Sequence, residues 1–480
     1  MIDKSQLQKK SDFLWEIPMT TRADMRVPAH VYALPEIIES MSDDRSLQQL
    51  VNVTTLPGIQ KAAIVMPDIH EGYGFPIGGI AATLYPDGVI SPGGIGYDIN
   101  CGVRLLVSNL EYDDIKDKAE QIAIELYNKI PSGVGKGGEI KLTQEEMDEV
   151  LTEGAEWAVR KKMGFAEDLA SMESMGRLKD ADPNAVSDHA KKRGFDQLGT
   201  IGSGNHFVEV SRVDEIFDNL TAERFGIKNN QIVILIHTGS RGLGHQVATD
   251  YLKIMLDAMP NYNIKVPDRE LACVPFSSAE GQNYYKAMCA AANFAWCNRE
   301  VITWEIREAW KQLFPNKNEL QLLYDVSHNI AKIEEHEIDG KLQKLIVHRK
   351  GATRSFGPRH DEIPERFQET GQPVIIPGSM GTASYILAGT SQSMLTTFGS
   401  SCHGAGRALS RRASKRQVNV AHLEKELNEK GIYVRAGSRT GVAEEAPEAY
   451  KDIDLVIETV HRANIALKVA RLRPVSVIKG

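Results

Sequence analysis

The segment IVILIHTGSRGLGH, Ile232 to His245, carries the pattern that decides the fold of this chain. An aliphatic run, Ile232 to Ile236, stops at a histidine and gives way at once to Thr, Gly, Ser and Arg. So short a run is far from the ~20 apolar residues of a membrane-spanning helix. It reads as a strand buried on both faces, with a polar loop at its end. The same pattern recurs in AAIVMPDIHEGYG (from Ala62), LQLLYDVSHN (from Leu320), LIVHRKGATR (from Leu345) and PVIIPGSMGTAS (from Pro373). Loops held at strand ends by a rigid sheet are where sites are built. With helical stretches between these runs, the expected fold is α+β, with short buried strands and the active site on strand-end loops.

Working outward from the strands, the helices read as scaffolding. Ile115, Ala119, Ile122, Leu126 and Ile130 fall at helical spacing ahead of Pro131. Thr143 with Glu146 forms a capping box that opens an acidic helix, expected to run through Val159. From Ala279 to Phe314 only Gly281 disfavours helix, and Pro315 closes what reads as a central buried element. Cys289 and Cys297 within it read as packed apolar groups. No Ser/Gly-rich or Pro-rich linker divides the chain, and the candidate site residues are scattered from Asp68 to Lys479, so residues 1–480 are expected to form one compact domain.

Composition narrows the function classes. With 42% hydrophobic and 25% charged residues, the 480-residue chain can bury a large core. A net charge of −8, from 56 basic and 64 acidic residues, excludes indiscriminate coating of nucleic acid but permits a local basic patch. The five scattered cysteines make no disulfide framework, and the charged start MIDKSQLQKKSD has no signal-peptide core. A cytoplasmic, reducing location away from membranes is therefore expected.

Several clusters carry chemistry. In SPGGIGYDINCGVR, Ser91 to Arg104, Asp98 and Cys101 lie three apart between glycines that let the backbone aim both at one point. A thiolate beside a carboxylate is electrostatically poor unless a cation sits between them, and with a divalent ion the cysteine can bridge two metals. Alone, the cluster also reads as a turn holding a buried cysteine. In GTIGSGNHFVEV, Gly199 to Val210, a glycine turn enters a strand in which Phe207 and Glu209 share one face and His206 takes the other. His237 and His328 each follow an apolar strand. Together Asp98, Cys101, His206, His237 and His328 make an inventory sufficient for two adjacent metals if Cys101 is shared. In GSSCHGAGRALSRRASKR, Gly399 to Arg416, His403 precedes a glycine turn and then a basic helix suited to phosphate, or else merely solvated.

At this point the chain is recognisable. MPDIHEGYGFPIGG, YDINCG, GSGNHFVEV, HTGSRGLGH, HRKGATR, PGSMGTASY and SCHGAGR, in this order from about Pro67 to Lys479, closely resemble the RtcB family of RNA-splicing ligases. The resemblance implies an enzyme that joins a 2′,3′-cyclic phosphate or 3′-phosphate RNA end to a 5′-hydroxyl end, tRNA halves included. It implies GTP and two Mn²⁺ ions as cofactors and, as a partner, the family's archease helper. One Mn²⁺ would be held by Asp98, Cys101 and His206, the other by Cys101, His237 and His328. His403 would be the catalytic, guanylylated nucleophile. The nucleotide pocket would comprise Asn205, His206, Phe207, Val208, Glu209, His328, Asn329, Pro377, Gly378, Ser379, Met380, Ser384, His403, Gly404, Ala405, Gly406, Arg407 and Lys479, with Tyr450 stacking on guanine. Asp68 and His70 are candidates to position an RNA end, and Arg241, Lys350, Arg354 and Arg412 are candidates to bind its phosphates.

Manganese comes from the resemblance, whereas the general affinity order favours zinc at a Cys/His site. Zinc is thus expected to bind and to support ligation poorly. Two rival enzymes share many of these residues. A GMP-capping enzyme would stop after activating a 3′-phosphate. A two-metal cyclic phosphoesterase would need neither His403 nor a guanine pocket. A non-enzymatic RNA-binding protein would not need the metal inventory.

Overall fold

The five apolar runs all fold as strands, divided between two large sheets. The computed structural model of the protein describes residues 2–41 and 44–480. Its eight-stranded sheet runs in the order Leu320–Ser327, Gly102–Glu111, Gln231–Thr238, Phe207–Ile216, Ala466–Lys479, Ser384–Gly389, Pro373–Ile376, with Tyr433–Ala436 added in parallel beside Ala466–Lys479. The seven-stranded sheet runs Gln8–Lys9, Leu14–Ile17, Ala29–Tyr32, Ala63–His70, Ile77–Leu84, Lys341–Lys350, Asn329–Ile338. The chain leaves the first sheet at Ser327 and enters the second at Asn329, so His328 is the joint between them.

Burial explains why the deciding segment is continuously apolar. Ile232, Ile234 and Ile236 pack into a core shared with Trp296 and Trp310 of the helix Ala279–Leu313, while Val233 and Leu235 face an opposite core with Leu423 and Leu427. A strand covered on both faces has no polar side to alternate with. The 35-residue helix is the expected central element, and Cys289 and Cys297 are fully buried in it. All five cysteines are free thiols. Among the described residues, no helix is long and apolar enough to cross a membrane.

One helical expectation is corrected. The capping box at Thr143 forms, but the acidic helix stops at Glu153, because Gly154 takes a left-handed φ of +62° that breaks the spiral before Ala155–Arg160 resumes it.

Candidate functional site

Every neighbouring pair on the main path of the eight-stranded sheet is antiparallel, so the start of one strand lies beside the end of the next. Gly102 is opposite both Ser327 and Thr238, His237 is opposite Phe207, and Phe207 is opposite Lys479. Residues remote in sequence thereby meet at one edge. Cys101 Sγ lies 3.5 Å from His206 Nε2 and 3.2 Å from His237 Nε2. His206 Nε2 is in turn 2.8 Å from Asp98 Oδ2. The ligand atoms of Asp98, Cys101 and His206 all lie within 4.8 Å of one another. The His328 ring packs edge-on to His237, with centroids 5.4 Å apart.

These side chains fit a transition metal. His206 Nδ1 donates to the Ile201 carbonyl at 3.0 Å, and His328 Nδ1 meets Thr353 Oγ1 at 2.8 Å, which aims both Nε2 atoms inward. Asp98 Oδ1 and His328 Nε2 are buried without a protein partner, a condition rare unless a ligand satisfies such atoms. Burial and then the Asp98 charge push the Cys101 thiol well up. Burial opposes ionisation of Asp98, but His206 beside it outweighs this and holds the carboxyl below its usual range. Burial, reinforced by neighbouring imidazoles, drives His237 and His328 far down and keeps them neutral. A charged carboxylate, the neutral imidazoles of His237 and His328, the His206 ring and a thiol that ionises against a cation form such a metal's donor set.

His403 follows the short strand Ser400–Cys402, which pairs with Ala352–Arg354. Its ring stands edge-on to His328 at 5.3 Å. Its Nδ1 and its backbone N–H both donate to one oxygen of the fully buried Asp68, at 2.6 and 3.1 Å. That carboxylate fixes the proton on Nδ1 and leaves the Nε2 lone pair free, as a nucleophile requires. Gly406, with φ of +73°, lets the following turn lie against the strand of Asp68, since a Cβ there would come within 2.8 Å of the Asp68 Cα.

From His403 a cleft opens, lined by His70, Asn205, Phe207, Glu209, Asn329, Pro377 to Met380, Gly404 to Arg407, Arg411, Glu445, Tyr450 and Lys479, with Asp98, Cys101, His237 and His328 at its inner end. The Lys479 ammonium sits over the Phe207 ring at 5.4 Å. Burial pushes Glu209 up to about 7, opposed by Ser211, whose hydroxyl donates to it at 2.7 Å. Arg407 lies 5.2 Å over the Tyr450 ring, and the Tyr450 hydroxyl donates to Glu445. An aromatic wall, a carboxylate and cations beside a glycine turn suit a purine nucleotide with its phosphates. A second cleft shares Asp98, Asn205 and Arg411 and continues past Arg193, Arg241 and His245.

The family described as tRNA-splicing ligase RtcB matches residues 49–480. This chain belongs to the RtcB family. Proteins named tRNA-splicing ligase RtcB from Thermococcus kodakarensis and Archaeoglobus fulgidus are 54% and 51% identical to it, each over 99% of both chains. The one from Nanoarchaeum equitans is 52% identical over the same share.

Within the RtcB-type site, several expected residues stand elsewhere. Val208 points into the core, because strand alternation gives the cleft to Phe207 and Glu209. Ser384 is buried behind the cleft, where its Oγ accepts from the Gly378 N–H at 3.0 Å. Asp68 is sealed against His403 and cannot reach an RNA end, whereas His70 lines the cleft, held neutral by burial with a pKa of about 4. The expectation that Lys350 and Arg354 bind RNA phosphate is corrected. Lys350 is buried and donates to the carbonyls of Tyr73 and Gly93, and Arg354 is buried between Gln372, Tyr324 and Glu362. Arg412 is exposed on the helix Arg411–Gln417, and it is its neighbour Arg411 that meets the cleft. Arg193, His245 and Glu445 escaped the sequence reading as site residues, whereas Arg411 belongs to the basic helix read as suited to phosphate. Glu445 lies in a polar stretch without a motif, and nothing local marks Arg193.

Proposed function

We propose that this chain is an RNA ligase that uses GTP to join RNA 2′,3′-cyclic phosphate or 3′-phosphate ends to 5′-hydroxyl ends, in tRNA splicing or RNA repair. The observation that carries this reading is the Asp68–His403 pair, with its free Nε2, beside the metal-type donor set. His403 Nε2 attacks the α-phosphorus of GTP. A P–N bond forms, the bond to pyrophosphate breaks, and Asp68 stabilises the charge that develops on the ring. An RNA 3′-phosphate oxygen then displaces Nε2 and takes the GMP. The 5′-hydroxyl oxygen attacks the activated phosphate, and GMP leaves. A cyclic phosphate is first opened by water to the 3′-phosphate.

Asp98, Cys101 and His206 would hold one divalent ion and Cys101, His237 and His328 another, two Mn²⁺ in this reading. When bound, the ions supply positive charge against the phosphate oxygens in each displacement. Arg407 and the turn Gly404 to Gly406 steady the nucleotide phosphates, while Phe207, Glu209, Tyr450 and Lys479 take the guanine. The RNA runs along the second cleft, where Arg193 and Arg241 offer positive charge despite the net −8 of the chain, and His245, its pKa lowered by burial, lines it as an uncharged ring. The chain works as one ligase domain in the cytoplasm, with tRNA halves as substrates and an archease-type helper as partner.

Intact mass after incubation with GTP and Mn²⁺ tests this. We expect a covalent, acid-labile GMP that His403→Ala abolishes. Its absence from the parent protein would favour a cyclic phosphoesterase, for which the Asp68–His403 pair has no task. Sealing of a nicked RNA hairpin with 3′-phosphate and 5′-hydroxyl ends then separates a ligase from a capping enzyme.

A further inference from the structure

Beneath the metal-type site runs the middle of the helix Ala279–Leu313, and two of its fully buried polar residues point at the loops that carry the ligands. Arg299 uses all five of its guanidinium N–H donors. Nη1 donates to the carbonyls of Asn100 at 2.9 Å and Thr238 at 3.0 Å, Nη2 donates to Asn100 Oδ1 at 3.1 Å and Asp325 Oδ1 at 2.8 Å, and Nε donates to Asp325 Oδ2 at 2.8 Å. Asn100 directly precedes Cys101, and Thr238 directly follows His237. The next loop belongs to Asn298. Its Nδ2 donates to the carbonyls of Thr200 at 3.1 Å and Gly239 at 3.3 Å, and its Oδ1 accepts from the Thr200 N–H at 3.2 Å. Thr200 adjoins Ile201, whose carbonyl fixes the His206 ring.

We propose that Arg299 and Asn298 are positioning residues, which hold the loops of Cys101, His206 and His237 at the separation that binds a divalent ion. The geometry needs Arg299 to be an arginine. Its planar fork reaches two loops and a carboxylate at once, whereas a lysine ammonium offers its donors from a single point. Gly102 makes room for the fork, since a Cβ there would stand 3.2 Å from the Arg299 Cζ. Asn100, with φ of +52°, bends the Cys101 loop down onto the guanidinium. The outer partners of metal ligands set ligand orientation, and losing them typically weakens metal affinity about tenfold to a hundredfold.

This inference rests on the metal reading above, so the experiment begins with the full-length parent. Its affinity for Mn²⁺ is measured by titration calorimetry, and the absorption of the Co²⁺-loaded protein reports the thiolate bond and the coordination geometry. A parent that binds neither ion refutes the metal reading itself. With binding established, Arg299→Lys and Asn298→Ala are compared with the parent for folding by circular dichroism and thermal unfolding. We expect folded variants with Mn²⁺ affinity about tenfold or more weaker and a shifted cobalt spectrum. Parental affinity and spectrum in both folded variants would overturn the proposal. If Arg299→Lys does not fold, Asn298→Ala decides alone. If neither folds, the two residues serve the stability of the whole fold and the proposal fails.

Discussion

Asp68 accepts two hydrogen bonds from one residue, and its burial makes it the group that decides which nitrogen of His403 is free. Asp68→Ala should therefore slow formation of the GMP–enzyme by about a hundredfold or more while leaving Mn²⁺ affinity at the parental value, as single-turnover guanylylation and calorimetry would read. Glu209 gives a pH prediction. Its carboxyl is raised by burial to about 7, so it is neutral below that pH and charged above. The N–H donors on the guanine edge are best met by the charged form. Guanylylation at low GTP should rise from roughly pH 6 to about pH 8, and Glu209→Gln should weaken GTP binding and flatten that limb. The linkage to stability has the opposite sign. A raised carboxyl pKa contributes stability that is fully present below the ordinary value of 4.5 and is lost as pH rises through about 7. Measured across that range, thermal stability should vary less in Glu209→Gln than in the parent.

The strand-then-loop pattern sets the site at the scale of elements. The seam between the turn Gly404 to Gly406 and the strand Ala63–His70 depends on a missing side chain. Gly406→Ala would force a left-handed φ on alanine and a Cβ against the Asp68 backbone, and should cost about 2 kcal/mol or more. Thermal unfolding reads that loss, and guanylylation should fall with it because Asp68 must move. The same scale explains why the eight-stranded sheet ends cleanly at Leu320–Ser327. Arg307 donates to the carbonyl of Leu320, and Arg366 to those of Leu322 and Leu323, so the outer edge offers few free acceptors to another strand.

Across the whole molecule, charge and metal belong to the assembled chain. The cations that meet the second cleft lie far apart in sequence, whereas Lys350 and Arg354, neighbours in HRKGATR, are both buried. Arg241→Ala should weaken RNA binding and lower its salt slope by about one, whereas Arg354→Ala should act on stability. Its removal leaves the buried Glu173 with less compensating charge, at a cost of about 3 kcal/mol or more. Ligands drawn from four separated loops tie the fold together when a metal is bound. Both Mn²⁺ and Zn²⁺ should raise the apparent Tm by mass action, and chelation should reverse the effect. In single-turnover sealing, Mn²⁺ should be effective and zinc alone poor.

The strands, the central helix and the ligand types are legible in the amino-acid order, because they follow from local periodicity and from the chemistry each residue can do. Ile232 to Ile236 could only be buried on two faces, and Asp98 with Cys101 needed a cation between them. Tertiary structure alone decided which groups face one another. That Asp68 orients His403 instead of meeting RNA, that Arg354 is sealed inside, and that Arg299 reaches two ligand loops all depend on antiparallel register and on burial. Those are contacts between residues tens to hundreds apart, which no local pattern encodes.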